Sequence, residues 1–400
     1  MLIYFYRNLI KGRCILKNVG LKNIRKDIVS GIIVALVSIP ISMGYAQIAG
    51  LPAVYGLYCS ILPVLIYGLV TSSPQFVFGV DATPAALVGG TLATLGIVSG
   101  SEEAKAVVPS ITLVAALWLL LFFFIKAGRI VNYISTPVMG GFISGIGVTI
   151  ILMQAAKLFG GNAGTGEAIK LLMHIAGEMK SFNLLSAVLG VGTVIIILIA
   201  KKFIPKFPMS VLLMVLGALA TAIFHIDRCG VKLLPHVDKG LPGFSLPDMS
   251  VVFKNPSEII LLGLSVAGVV MAQTLLATNN YANKYGYKVS NNREILSYAA
   301  ANAASAVIGG CPLNGSVSRT GIADQFGCKS QVMSITASLT MLLIVLFGTP
   351  VLEYLPVPIL TGIVVAALIG ITEFGLAVKL WKTDHTEFAI FVGAFLGVLL

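Results

Sequence analysis

Charge is what this sequence has least of. Asp, Glu, Lys and Arg make up 11% of its 400 residues, against 57% hydrophobic residues. With a mean hydropathy of +0.96, that excludes a soluble domain of this length. What remains is a polytopic membrane protein with lipid around it. Histidine is scarce: residues 174, 225, 236 and 385 sit in loops or at segment ends without ligand spacing. No metal site is expected from them. The five cysteines (14, 59, 229, 311, 328) show neither CxxC pairing nor metal spacing and read as free thiols. The apolar segments hold no histidine–acid or nucleophile–base constellation, so an enzyme has little support. A cleavable signal peptide is not expected either. Residues 1–27 are basic and amphipathic (Arg7, Lys11, Arg13, Lys17, Lys22, Arg25, Lys26) and lack an apolar core followed by small residues.

What is present is a series of apolar runs. Thirteen candidate segments fall near 28–46, 52–71, 81–99, 106–125, 134–158, 184–200, 208–226, 257–280, 293–309, 316–326, 330–349, 356–374 and 386–400. A full span needs about 20 apolar residues, and the third and tenth read as shorter. The last run is still apolar at Leu400, so a further span is expected beyond it.

The formal charge of +11 sits beside these segments, which points to membrane topology rather than nucleic-acid binding. With the amino terminus in the cytoplasm, 18 basic residues fall inside and 7 outside, most of the latter in the long loops 159–183 and 227–256. Inside lie Lys126 and Arg129, Lys201, Lys202 and Lys206, Lys284, Lys288 and Arg293, Lys329, Lys379 and Lys382.

One stretch departs from the apolar pattern. Gly310 to Ala323 reads Gly-Cys-Pro-Leu-Asn-Gly-Ser-Val-Ser-Arg-Thr-Gly-Ile-Ala, with a full charge at Arg319. A charge at membrane depth costs at least a few kcal/mol. Gly and Pro break a continuous helix, which is tolerated where the backbone is buried in protein or lines a wet cavity. Two readings stand: a half-helix whose amino end, with Arg319, faces a bound anion, or a cytoplasmic loop with an ordinary basic residue.

A second interrupted stretch resembles the first. Ser-Ser-Pro-Gln-Phe-Val-Phe-Gly-Val precedes Asp81-Ala82-Thr83-Pro84. Thr83 before Pro84 reads as a helix cap with proline at the first helical position. Asp81 reads either as a cap residue or as an acid that binds a proton or cation. The stretches Gln75–Pro84 and Gly310–Thr320 occupy matching places in two seven-span halves. Short, interrupted spans in corresponding positions of an inverted repeat point to a transporter site at the midplane. Two helix amino ends there supply N–H donors and positive dipole ends suited to an anion.

The other polar features divide similarly. Pro40 in the first segment reads as a structural kink or as a break lining a site. In the eighth segment Gln273 and Asn280 share a face, either as glue between helices or as site lining. Asn291 and Glu294 read as a capping box with a structural role.

The run Pro40-Ile-Ser-Met-Gly-Tyr-Ala-Gln-Ile-Ala-Gly-Leu-Pro-Ala-Val-Tyr-Gly-Leu-Tyr58 resembles a signature of the sulfate permease family of anion transporters. Gly286-Tyr287, Asn292-Arg293-Glu294, Asn302 and Gly315 to Thr320 match a second one. The resemblance covers nearly the whole chain. It implies an all-α polytopic membrane fold of two inverted seven-span repeats, with short strands leading into half-helices three and ten. The fourteenth span and a following STAS domain would lie beyond Leu400. It also implies a core domain (28–125 and 257–349) moving against a gate domain (126–256 and 350–400) in an elevator-type cycle, in a homodimer, with residues 1–27 cytoplasmic. The cell membrane is the expected location.

Carried onto this chain, the resemblance places a small anion beside Tyr45, Ala46, Ala82, Thr83, Gln273, Ser316, Val317, Ser318 and Arg319. Two positions depart from the family pattern. Ile41 stands where a glutamine commonly follows the proline. Gln273 stands fourteen residues before Tyr287, where proton-coupled members carry glutamate, and glutamine does not titrate. Asp81 is then the candidate for coupling to H⁺ or Na⁺. No cofactor and no nucleic acid is expected. Sulfate is the first expectation for the substrate; bicarbonate, chloride and dicarboxylates use similar frames. A nucleobase-type symporter of the same fold is a further alternative, disfavoured by Gln273 and Arg319. A receptor or scaffold that no longer transports is disfavoured by the intact half-helix motifs.

Overall fold

The computed structural model describes residues 21–129, 135–164, 168–204, 207–234, 240–241, 243–244, 246–248, 250, 253 and 256–399. Most of the amphipathic segment 1–27 and parts of the loop 227–256 lie outside the described residues.

The first half begins with α1 (Leu21–Ile48), which stays helical through Pro40. The second segment is broken into α2 (Val54–Tyr58) and α3 (Leu62–Val70). Strand β1 (Phe78–Val80) leads into the short α4 (Ala82–Thr94). Next come α5 (Glu102–Phe124), α6 (Thr136–Leu158), a short loop helix α7 (Ala168–Glu178), α8 (Leu184–Phe203) and α9 (Met209–Phe224).

The second half repeats the plan. Helix α10 (Pro256–Tyr285) and α11 (Asn291–Val307) precede β2 (Leu313–Gly315), which leads into the nine-residue α12 (Val317–Gln325). Helix α13 (Val332–Leu343) continues through a π-helical turn (Ile344–Gly348) into α14 (Thr349–Leu352). Helices α15 (Val357–Ile371), α16 (Phe374–Thr383) and α17 (His385–Leu399) follow. Every expected segment is represented by helix, and among the described residues six helical runs are long and apolar enough to cross a membrane, with α15 and α16 counted as one run. Helix α16 is unforeseen: its Lys379 and Lys382 read as an inner loop, yet the segment is amphipathic and helical.

The helices pack in two groups. In one, α1 lies on α13, α11 on α5 and α3, and α10 on α5. In the other, α15 packs on α8 and α6, and α17 on α6. Helix α15 also meets α1 between the groups, so close that a Cβ at Gly44 would lie 2.4 Å from Val364 Cγ2.

The two interrupted stretches meet at the centre of the first group. Strands β1 and β2 pair antiparallel, Phe78 opposite Gly315, Gly79 opposite Asn314 and Val80 opposite Leu313. Antiparallel pairing of two equivalent strands is what an inverted repeat produces at its crossing point. Three-residue strands are marginal alone, and aromatic stacking supports this pair. The Phe78 ring stacks on Tyr67 (4.7 Å) and on Tyr298 (5.2 Å), whose own rings lie 6.3 Å apart.

Two capping expectations are corrected. Helix α4 starts at Ala82, with Asp81 rather than Thr83 at the capping position and no side-chain cap bond. Proline is tolerated anywhere in the first turn, so Pro84 did not mark the first helical residue. Helix α11 starts at Asn291 after Ser290, and Glu294 does not close a capping box. Its buried carboxylate instead accepts from the Thr71 hydroxyl (2.8 Å) and from the Ser72 and Ser73 amides (2.6 and 3.0 Å). The chain before β1 offers those donors, and a carboxylate satisfies several at once. The described cysteines 59, 229, 311 and 328 are free.

Candidate functional site

An open cavity of about 720 Å³ separates the two helix groups. Val37 and Ile41 of α1, Asp81 and Thr83 at the start of α4, Gln273 and Asn280 of α10, and Ser316 to Ser318 at the start of α12 form one wall. Residues of α6, α8, α9 and α15 form the other, including Thr136, Lys201, Met209 and Ile363. Its mouth lies at the end of the molecule where α6 begins and α8 finishes. At the opposite end the groups are closed, with a void of about 10 Å³ lined by Met43, Gly44, Gln47 and Gln154.

The half-helices start at the two ends of the β1–β2 ladder. Neither α4 nor α12 has a side-chain cap bond, so the first-turn N–H groups are not taken by their own capping residues. Unpaired first-turn amides and the positive dipole end favour a negative charge. The α12 start is fixed from behind: the Ser316 amide donates to the Val77 carbonyl (2.9 Å), and the Thr320 hydroxyl accepts from the Val77 amide (3.0 Å). Ser316 and Ser318 hydroxyls approach to 3.4 Å at the cavity face.

Asn314, which the sequence did not single out, ties the site together. Its Nδ2 donates to Gln273 Oε1 (2.6 Å) and to Asp81 Oδ2 (3.4 Å), and its Oδ1 accepts from Thr274 (2.7 Å). Gln273 Nε2 in turn donates to Thr83 Oγ1 (3.1 Å). A continuous chain of side chains thus runs from Asp81 through Asn314 and Gln273 to Thr83, joining β2, α10 and α4. The missing signal was the strand register, which puts Asn314 opposite Gly79 and next to Asp81. Asn280 shares the cavity face with Gln273, as the seven-residue spacing predicts.

Arg319 is buried, 2% exposed, and does not form the cavity wall. Its Nη2 donates to the Val80 carbonyl (2.6 Å) and Nη1 approaches Ser38 Oγ (3.5 Å). Its Nε has no hydrogen-bond partner. It makes no ion pair within 4.0 Å among the described residues. The charge therefore stands behind β1 and beneath the site, where low dielectric extends its field. Tyr45, Ala46 and Ala82 are likewise buried behind the wall, while Thr83, Gln273, Ser316, Val317 and Ser318 reach the cavity.

Two helical groups around a central pair of strand-led half-helices define an all-α polytopic integral membrane fold. The chain belongs to the sulfate permease family, whose profile matches residues 24–394. That family is one of transporters rather than enzymes. The chain is 30% identical to a low affinity sulfate transporter of Stylosanthes hamata over 94% of its own length and 61% of that protein. It thus spans about three fifths of the curated plant relatives it matches. Among solved structures it resembles murine Solute Carrier 26 family member A9, an anion transporter in the inward-facing state (TM-score 0.86, 21% identity, 96% of this chain and 66% of that one). The transmembrane domain of the cyanobacterial bicarbonate transporter BicA is also similar (TM-score 0.85, 17% identity, 95% and 96%). These likenesses show the fold.

Proposed function

We propose that this chain is the membrane part of a secondary active transporter of small inorganic anions, sulfate foremost, working as a homodimer in the cell membrane with its amino terminus cytoplasmic. The observation that carries this reading is the pair of uncapped half-helix starts on one cavity wall, backed by the buried, unpaired Arg319. Amide donors and dipole ends hold the anion; Arg319 supplies potential from behind. The α1–α5 and α10–α13 group carries the anion, and the α6–α9 and α15–α17 group is the gate it moves against. With the mouth at the end holding Lys201 and the α6 start, the charge bias makes this an inward-open state. Sulfate is favoured by what the plant relative transports. Asp81 couples the cycle by binding H⁺ or Na⁺. An unpaired carboxylate beside an anion repels it until neutralised.

The test is uptake of radiolabelled sulfate into proteoliposomes, with bicarbonate, chloride, dicarboxylates and uracil as competitors. Sulfate uptake that inorganic anions inhibit supports the reading. Uptake of labelled uracil without sulfate uptake would make the protein a nucleobase symporter, uptake of labelled bicarbonate, chloride or dicarboxylate alone would change the substrate, and transport of none of these would leave a receptor or scaffold.

A further inference from the structure

One face of α1 follows the path from the open cavity to the closed end. Val37 and Ile41 line the cavity; Gly44 and Gln47, at helical spacing from them, line the small void beyond. One face of α6 does the same on the other side. Thr136, Gly140 and Ile143 line the cavity, and Gln154 lines the void. The next residue on that face is Lys157, half-buried in the last turn of α6. Its Nζ donates across the gap to Gln47 Oε1 at 3.4 Å. No carboxylate pairs with it among the described residues. A second cation stands at the same end: Lys232 Nζ donates to the Gly161 carbonyl (3.2 Å) and Asn162 Oδ1 (2.9 Å), in the turn that follows α6. Glu178, also at that end, accepts from the Asn162 amide at 2.7 Å.

We infer that Lys157 is an anion-binding residue at the closed end of the pathway, the first contact for an anion entering there when the two helix groups part. This rests on the transport reading above. A half-buried ammonium held by one long bond to a neutral amide is poorly compensated. The bond to Gln47 crosses between the two groups, so opening this end must break it. The ammonium is then freed at the moment the passage admits an anion, with Gln154 one turn deeper on the same face. Lys232 raises the local potential and draws anions to the opening. The site would take a small, hydrated oxyanion or halide, and would hold it weakly enough to pass it on.

The experiment is sulfate homoexchange in right-side-out and inside-out membrane vesicles, with the opposite face saturated. For Lys157→Gln the half-saturating concentration should rise about tenfold on the Lys157 face and stay unchanged on the other, the scale of one lost charge-assisted hydrogen bond. Lys157→Arg should restore it. If the Lys157–Gln47 bond were only a latch, removing it would favour the state open at that end. Half-saturation would then fall on the Lys157 face and rise on the other, which overturns the inference. No change on either face overturns it as well. Exchange through the unaltered face reports that the variant is folded. Absence of exchange of sulfate, chloride and bicarbonate alike in the unmodified protein would instead remove the transport reading, and this site with it.

Discussion

Arg319 Nη2 donates to the carbonyl oxygen of Val80 at 2.6 Å, so the charge of the second interrupted stretch is held by the last strand residue of the first. The guanidinium fixes both half-helix starts to one another and lends its field to the space before them. Replacing it removes the link and the charge together. Arg319→Gln should lower sulfate affinity by at least tenfold, about 1.4 kcal/mol, in equilibrium binding to purified protein. Arg319→Lys keeps the charge but not the planar fork, and should recover only part of the affinity. Unchanged binding in Arg319→Gln would show that the charge does not serve the anion.

Gly79 is the residue that lets Arg319 pass behind β1. A Cβ there would lie 3.0 Å from Arg319 Nη1 and 3.5 Å from Cζ, and the guanidinium is boxed in. Gly79→Ala should destabilise by about 1–3 kcal/mol, seen as a lower melting temperature in detergent. Gly90→Ala makes the matched control. Its Cβ meets nothing within 4 Å and it sits inside α4, so alanine should leave stability equal or higher. Equal melting temperatures for the two variants would dismiss the steric argument.

These two residues also mark where the sequence was legible. The segments could be read because apolar run length and basic flanks report membrane crossing directly. The paired breaks could be read because Gly, Pro and polar residues have few other reasons to sit between such runs. The depth of Arg319 was not legible. Its spacing places it at the half-helix start, but its direction depends on Gly79 and Val80, 240 and 239 positions away in the chain. Asn314 was missed for the same reason, since its partners Asp81 and Gln273 come from other elements. Glu294 misled through a local rule: its spacing from Asn291 fits a capping box, but the loop at 71–73 offers more donors.

That loop gives the next prediction. Glu294 is fully buried and accepts from two hydroxyls (Thr71, Ser72) and two backbone amides (Ser72, Ser73) in the chain that enters β1. Glu294→Gln keeps one acceptor oxygen for the two amides but removes the negative charge, so each of these bonds loses its charge-assisted part. We expect a loss of about 1–3 kcal/mol, and faster hydrogen exchange at the Ser72 and Ser73 amides than elsewhere in the chain. Uniform exchange throughout would assign Glu294 a general packing role.

The last prediction concerns how the carrier is driven. Asp81 opens α4, lines the cavity, and touches the Asn314 amide that also serves Gln273. With Gln273 unable to titrate, the carboxylate at position 81 is the titratable side chain in this chain of contacts. As a base, Asp81 is anionic at high pH and repels an anion placed at the α12 start; proton binding removes the repulsion. Sulfate uptake should therefore rise as pH falls on the substrate side. Asp81→Asn fixes the neutral form, so uptake should lose this pH dependence and sit near its low-pH level throughout. Accumulation against a gradient should disappear, leaving exchange intact. Gln273→Glu places a titratable carboxylate on the same asparagine bridge, one contact away from position 81. It should restore a pH dependence to the Asp81→Asn protein. If Asp81→Asn keeps the pH and Na⁺ dependence of the unmodified chain, coupling resides elsewhere and the asparagine bridge is structural.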